Sequence, residues 1–239
     1  MKHKFTVGSG FYCKPDQTFD KFFPIWWDNL HRYAEPKEVI ILAAGTGPRP
    51  VNKRGKWIEL PGDLGHVHDL NGSNPNVRKP YHWCGWSISF VTLALLAYAN
   101  ESDFLYVEQD VLAFGPYVDR MYQEIGGAGM IFGRAKCMPA VQSLVLCKFE
   151  FIPEFVRLFM GTGSEQLKKN EGELKFLKLE QDNPGKFARY SFGFDRDRPF
   201  NLKEPIFYLQ HIMPDEMRQL VKAGLLPKDT PILENQWAK

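Results

Sequence analysis

Two short, unbroken apolar runs, Glu38 to Ala43 (EVIILA) and Asp103 to Val107 (DFLYV), constrain this chain more than any other feature of it. A strand with one wet face alternates apolar and polar residues, whereas a run that is apolar at nearly every position has both faces covered, as in a parallel sheet held between helices. The surrounding pattern agrees. Lys4 to Val7 reads as a short strand ending at Gly8-Ser9-Gly10, and Asp16 to Tyr33 as an amphipathic helix kinked near Pro24. Lys56 to Leu60 follows as a strand, Pro61 to Gly85 as a long polar loop, and Trp86 to Ala99 as a buried helix leading into DFLYV. A helix from Gly115-Pro116 to Glu124, strands at Gly129 to Gly133 and Gln142 to Cys147, and a helix at Pro153 to Met160 come next. Strand and helix in alternation predict an α/β fold with a mainly parallel sheet flanked by helices, in one domain spanning residues 1–239. From Gly161 the pattern weakens to polar, irregular chain, with one further strand at Ile206 to Leu209 ending at Gln210-His211. Residues 212–239 read as a flexible tail or lid.

Composition narrows the functional classes. Thirty basic against 28 acidic residues give a formal charge of +2, which supplies no general field for nucleic acid or an anionic membrane. The Trp86 to Ala99 run is interrupted by Ser87, Ser89 and Thr92 and falls short of the roughly 20 residues of a membrane span. No apolar leader opens the chain, and Cys13, Cys84, Cys137 and Cys147 are scattered, so reduced thiols and a cytoplasmic location are expected, with neither a transmembrane segment nor a nucleic-acid partner.

The chemistry concentrates after DFLYV, at Glu108-Gln109-Asp110. Residues i and i+2 of an extended chain point to the same side, so Glu108 and Asp110 can converge on one hard cation at the carboxyl edge of the sheet, where open α/β sheets bind ligands. A solvated strand end has the same three-letter form.

With its apolar helix, apolar strand and acidic triplet, SISFVTLALLAYANESDFLYVEQDVLAFG resembles the nucleotide-sugar-dependent glycosyltransferases of the A-type (GT-A) fold, whose DxD motif holds Mn²⁺ or Mg²⁺ against the diphosphate of the donor. Glu108 stands where that motif has Asp, keeping the charge and lengthening the reach. The resemblance implies a single-domain, GT-A-like (Rossmann-like) fold and a metal site of Glu108, Asp110 and the late His211. It also implies donor contacts from Ser9, Gly10, Phe11 and Tyr12 at the first strand's end, and Lys79 on phosphate. Inverting members place a general base after a helix in the region of Asn170 to Phe176, making Glu173 the first candidate and Glu171 the second; retaining members need none, which turns attention to Gln142. The partners implied are a nucleotide-diphosphate sugar, UDP- or GDP-linked, and a carbohydrate or glycoconjugate acceptor.

Two other readings compete. Leu42 to Arg49 (LAAGTGPR) resembles the Gly-rich loop of sugar-phosphate nucleotidyltransferases, but it lies well inside the chain, lacks the following Pro-Lys pair and leads toward a strand rather than a helix. The aromatic content, 14%, suits a non-catalytic carbohydrate-binding module as well as it suits a Phe-rich core. Asp195-Arg196-Asp197-Arg198 reads as a self-paired surface loop.

Overall fold

The computed structural model describes residues 3–13, 18–43, 47–60, 85–133, 140–161 and 172–233. In chain order the elements are β1 (Phe5–Phe11), α1 (Phe19–Tyr33), β2 (Glu38–Ala43), β3 (Lys56–Glu59), α2 (Gly85–Ala99), β4 (Asp103–Val107), β5 (Leu112–Phe114), α3 (Tyr117–Ile125), β6 (Met130–Gly133) and β7 (Val141–Cys147). There follow a 3₁₀ turn (Phe149–Phe151), α4 (Ile152–Gly161), α5 (Gly172–Asp182), β8 (Phe187–Arg189), β9 (Phe207–Leu209) and α6 (Pro214–Lys222).

The main sheet has seven strands in the order β3-β2-β1-β4-β7-β6-β8. β1, β2, β3 and β4 pair in parallel, and β7 alone runs against its neighbours β4 and β6. Both faces are covered. On one side Phe5, Val7 and Phe11 of β1 join Val39 and Ile41 of β2 and the buried face of α1; on the other, Ile40, Leu42, Phe104 and Tyr106 meet Phe90, Leu93 and Ala97 of α2. This two-sided burial is why EVIILA and DFLYV carry no polar alternation.

Four features depart from the sequence reading. Gly8-Ser9-Gly10 is not a turn but the middle of β1, and the reason is close packing: a Cβ on Gly8 would stand 2.6 Å from the Phe104 ring and 2.9 Å from Leu93. Glycine in this strand lets α2 settle onto the sheet. The last third is not irregular, since α5, β8 and α6 organise it. Residues 212–233 are no free lid either: Ile212, Met217, Leu220, Leu226 and Leu233 are buried in the α1-side core, while residues 234–239 lie outside the described residues. β5, which no pattern announced, pairs with β9 in a separate two-stranded antiparallel ribbon. Among the described residues no helix is long and apolar enough to cross a membrane.

Candidate functional site

The strand order fixes where a ligand can enter. From β1 the chain moves outward through β2 to β3, then returns to place β4 on β1's other side. Connections diverging from two adjacent parallel strands leave a crevice above their carboxyl ends. Phe11-Tyr12 leave β1 at that crevice and Glu108-Gln109-Asp110 leave β4 there. Gln109, the middle residue of the triplet, bridges the two: its Nε2 donates to the Tyr12 carbonyl at 2.7 Å and its Oε1 accepts the Tyr12 N–H at 2.8 Å. Its neighbours are anchored separately. The Glu108 N–H donates to the Ser143 carbonyl at 2.8 Å, and the Trp26 indole Nε1–H donates to the Glu108 carbonyl at 2.9 Å.

The β5–β9 ribbon assembles the rest. Leu112 pairs with Leu209 in antiparallel register, so two residues back along one strand and two forward along the other bring Asp110 opposite His211. The His211 Nε2 lies 3.5 Å from Asp110 Oδ2. His211 (φ 57°) and Asp195 (φ 51°) both adopt the left-handed backbone region that residues with a Cβ rarely enter. Such outliers concentrate where a site over-determines the chain. Gln210, between β9 and His211, donates from Nε2 to Glu108 Oε2 at 2.5 Å and to Asp110 Oδ1 at 3.3 Å, and its Oε1 accepts from Arg196 Nε at 3.2 Å.

The run Asp195 to Arg198 is therefore not a self-paired surface loop. Asp195 is buried beside the site, its Oδ1 accepting from Ser143 Oγ at 3.2 Å; Arg196 reaches Gln210; Arg198 pairs with Glu216 of α6. Polarity suggested a solvated loop, and the bridge from Asp195 to Leu209 at the ribbon's edge overrode it. Asp195, Arg196 and Gln210 are the site residues that sequence reasoning missed, and only their proximity to the ExD triplet through a long-range ribbon reveals them.

Electrostatically the pocket is costly. Asp110 is only 4% exposed, and burial pushes its carboxyl up from an ordinary 3.8 to about 6, against the opposing pull of Arg196 and the Gln210 amide. Burial likewise raises the Asp195 carboxyl, again opposed by Arg196. Asp110 Oδ2 has no hydrogen-bond partner among the described residues, and neither has Gln142 Oε1, which lines one narrow cleft with Glu108, Asp195, Arg196 and Gln210. Asp110 Oδ2 faces His211 across the ribbon, so these two side chains are the ones that could hold a metal ion here. Two ligand atoms 3.5 Å apart can both touch one ion at about 2.1 Å from each, and a carboxylate oxygen with an imidazole nitrogen suits Mn²⁺ better than Ca²⁺. Among the described residues no three His, Cys, Asp or Glu side chains form a ready cage, because the Glu108 carboxylate is turned onto Gln210.

The other expected residues divide. Ser9 and Phe11 are buried, the Phe11 ring packing on Phe23 and Trp57 at centroid distances of 6.2 and 5.3 Å, so it serves the core. Gly10 lies under the amino-terminal end of α2, with a hypothetical Cβ 3.2 Å from Ser89. Tyr12 is the partly exposed aromatic at the crevice. Lys79 and Glu171 lie outside the described residues; Glu173 falls in the first turn of α5, and its side chain is likewise outside them. Residues 44–46 of the LAAGTGPR loop are not described, but downstream of Arg49 the chain enters β3, paired in parallel with β2. Arg49 is held by Glu59 at 3.3 Å and by the Gly47 carbonyl at 3.0 Å.

Sheet order, the single antiparallel strand and the switch-point crevice define the GT-A-like class of α/β fold. No family model and no curated protein matches the chain. Among solved structures, an active-site mutant of LgtC is similar with a TM-score of 0.54 at 12% identity, covering 98% of each chain. The apo form of the glycosyltransferase GlyE of Streptococcus pneumoniae TIGR4 has a TM-score of 0.48 at 13% identity, over 79% of this chain and 45% of its own. A glycosyltransferase involved in glycosylating the major capsid of PBCV-1 has a TM-score of 0.47 at 10% identity, over 79% and 82%. The end-to-end match to LgtC carries the fold comparison.

Proposed function

We propose that this chain is a metal-dependent glycosyltransferase that moves a sugar from a nucleotide-diphosphate donor, UDP- or GDP-linked, to a carbohydrate or glycoconjugate acceptor. One observation carries the reading: Asp110, buried with an oxygen that has no hydrogen bond among the described residues, faces His211 at 3.5 Å where the end of β4 meets the β5–β9 ribbon. A buried carboxylate oxygen without a hydrogen bond costs stability unless a partner satisfies it. The fold shared with LgtC, a galactosyltransferase, supports the same class.

In this reading Asp110 and His211, with Glu108, would hold Mn²⁺ or Mg²⁺, which when bound would supply positive charge against the departing nucleoside diphosphate. Tyr12 and the backbone clamped by Gln109 border the nucleotide, with Ser9 and Gly10 beneath and Lys79 on phosphate. Gln142 and Asp195 are buried beside the triplet, with Glu108 and Gln210 among their neighbours. If the reaction inverts stereochemistry, Glu173, or Glu171 second, takes the acceptor proton; if it retains, Gln142 is the residue beside the reacting carbon. Incubation with a panel of nucleotide sugars and Mn²⁺, followed by assay of released nucleoside diphosphate, tests this. Release that is lost in Asp110→Ala and His211→Ala is expected. Pyrophosphate from a nucleoside triphosphate and a sugar phosphate would instead support nucleotidyl transfer, and no product from any donor would sink the enzyme reading.

A further inference from the structure

The Gln210 side chain sits on one oxygen of each acid, Glu108 Oε2 and Asp110 Oδ1, beside the Asp110 Oδ2 that faces His211. It is 3% exposed, and its backbone N–H, donating to the Asp195 carbonyl at 2.9 Å, fixes where the side chain begins. Its amide could in principle face either way, and the neighbours decide which. With Nε2 toward Glu108 and Asp110, every contact is favourable: N–H on carboxylate at 2.5 and 3.3 Å, and carbonyl oxygen on the Arg196 Nε–H at 3.2 Å. Turned over, the amide oxygen would meet two carboxylates and its NH₂ would meet a guanidinium. Arg196 and the acids therefore enforce the same orientation, and Arg196 also opposes the burial penalty on Asp110 by its charge.

We propose that Gln210, oriented by Arg196, is a built-in plug of the carboxylate pair that sets how tightly a divalent cation binds. The proposal rests on the metal-dependent reading above and adds a positioning residue to it. A cation that bridges Glu108 Oε2 and Asp110 Oδ1 can bind only if the amide N–H groups leave those two oxygens, whereas one held through Asp110 Oδ2 alone would lack the Glu108 ligand. The plug then either swings away or turns to offer Oε1, and in both cases it gives up the Arg196 bond. Cation entry between those two oxygens and loss of the Gln210–Arg196 bond are thereby one event.

The test is titration of the full chain with MnCl₂ by isothermal calorimetry, comparing wild type, Gln210→Met, Gln210→Ala and Asp110→Ala. Gln210→Met fills the same length without a donor. Removing a charge-assisted N–H donor from the pair should tighten Mn²⁺ binding by about tenfold. A purely structural role would leave the affinity unchanged or weaken it. Mn²⁺ binding that is lost in Asp110→Ala but no tighter in either Gln210 variant overturns the plug and leaves the cation site standing. No Mn²⁺ binding by any of the proteins overturns both. Should both Gln210 variants fail to fold, ¹⁵N NMR of the wild type decides: Mg²⁺ must shift the Gln210 side-chain amide pair, and an unmoved pair overturns the proposal.

Discussion

Replacing Asp110 with asparagine should make the protein more stable at neutral pH while abolishing any cation-dependent activity. Burial holds the Asp110 carboxyl near 6 instead of 3.8, so the folded state binds its proton more tightly than the unfolded chain does. A displacement of that size corresponds to about 3 kcal/mol at 1.36 kcal/mol per pH unit. Its sign follows from proton counting: the contribution is favourable below about pH 4, where both states are protonated, and is lost as pH rises through about 6. Asparagine never ionises. It keeps an oxygen for Gln210 and places an NH₂ where Oδ2 lacks a partner, toward His211 Nε2. In EDTA at pH 7.5, Asp110→Asn should therefore exceed wild type by about 3 kcal/mol in urea unfolding, or roughly 6–12 °C in Tm for a chain of this size. At pH 4 the two should coincide. Adding Mn²⁺ should raise the wild type alone, narrowing the gap at pH 7.5. A variant less stable than wild type at pH 7.5, or a gap of equal size at both pH values, would refute the reasoning.

Other perturbations read out neighbouring parts of the site. Gln109→Ala removes both bonds to Tyr12 and should cost about 1–2 kcal/mol while weakening nucleoside diphosphate binding, measured by urea unfolding and calorimetry; nucleotide affinity unaffected by the change would remove Tyr12 from the binding surface. Trp26→Phe keeps most of the packing but leaves the Glu108 carbonyl without its indole donor, an expected loss of about 1 kcal/mol in chemical denaturation. Gly115, at φ 74°, would place a Cβ 2.2 Å from the Pro205 carbonyl oxygen, so Gly115→Ala should destabilise by more than about 1 kcal/mol and loosen the β5–β9 ribbon, visible as faster amide exchange at Leu112–Phe114.

The central fold was legible because its signals are local. EVIILA and DFLYV became β2 and β4 because a doubly covered strand needs apolar residues on both faces, and the ExD triplet fell at a carboxyl edge because β4 ends where its apolar run ends. What escaped is long-range. Leu112–Phe114 is too short to announce a strand and acquires its partner from Phe207–Leu209. The run Asp195 to Arg198 looks solvated by composition, yet Asp195 is buried because the ribbon draws it against Ser143. His211 was singled out through the resemblance and lies 3.5 Å from Asp110, whereas Gln210 beside it was not singled out. An amide is an ordinary surface residue until its two partners, one hundred residues away along the chain, are seen to be carboxylates.

That ribbon also dictates when the protein can become competent during synthesis. β1, β2 and β4 can associate as soon as the first half of the chain has left the ribosome, but β5 must wait for β9 before its edge is covered. Until then Leu112–Phe114 is an unprotected apolar strand, the kind of segment that invites pairing with another nascent chain. The arrival of β9 covers that edge and delivers Gln210 and His211 to Asp110 in one movement. Protection from aggregation and completion of the candidate site are thus a single late event in vectorial folding.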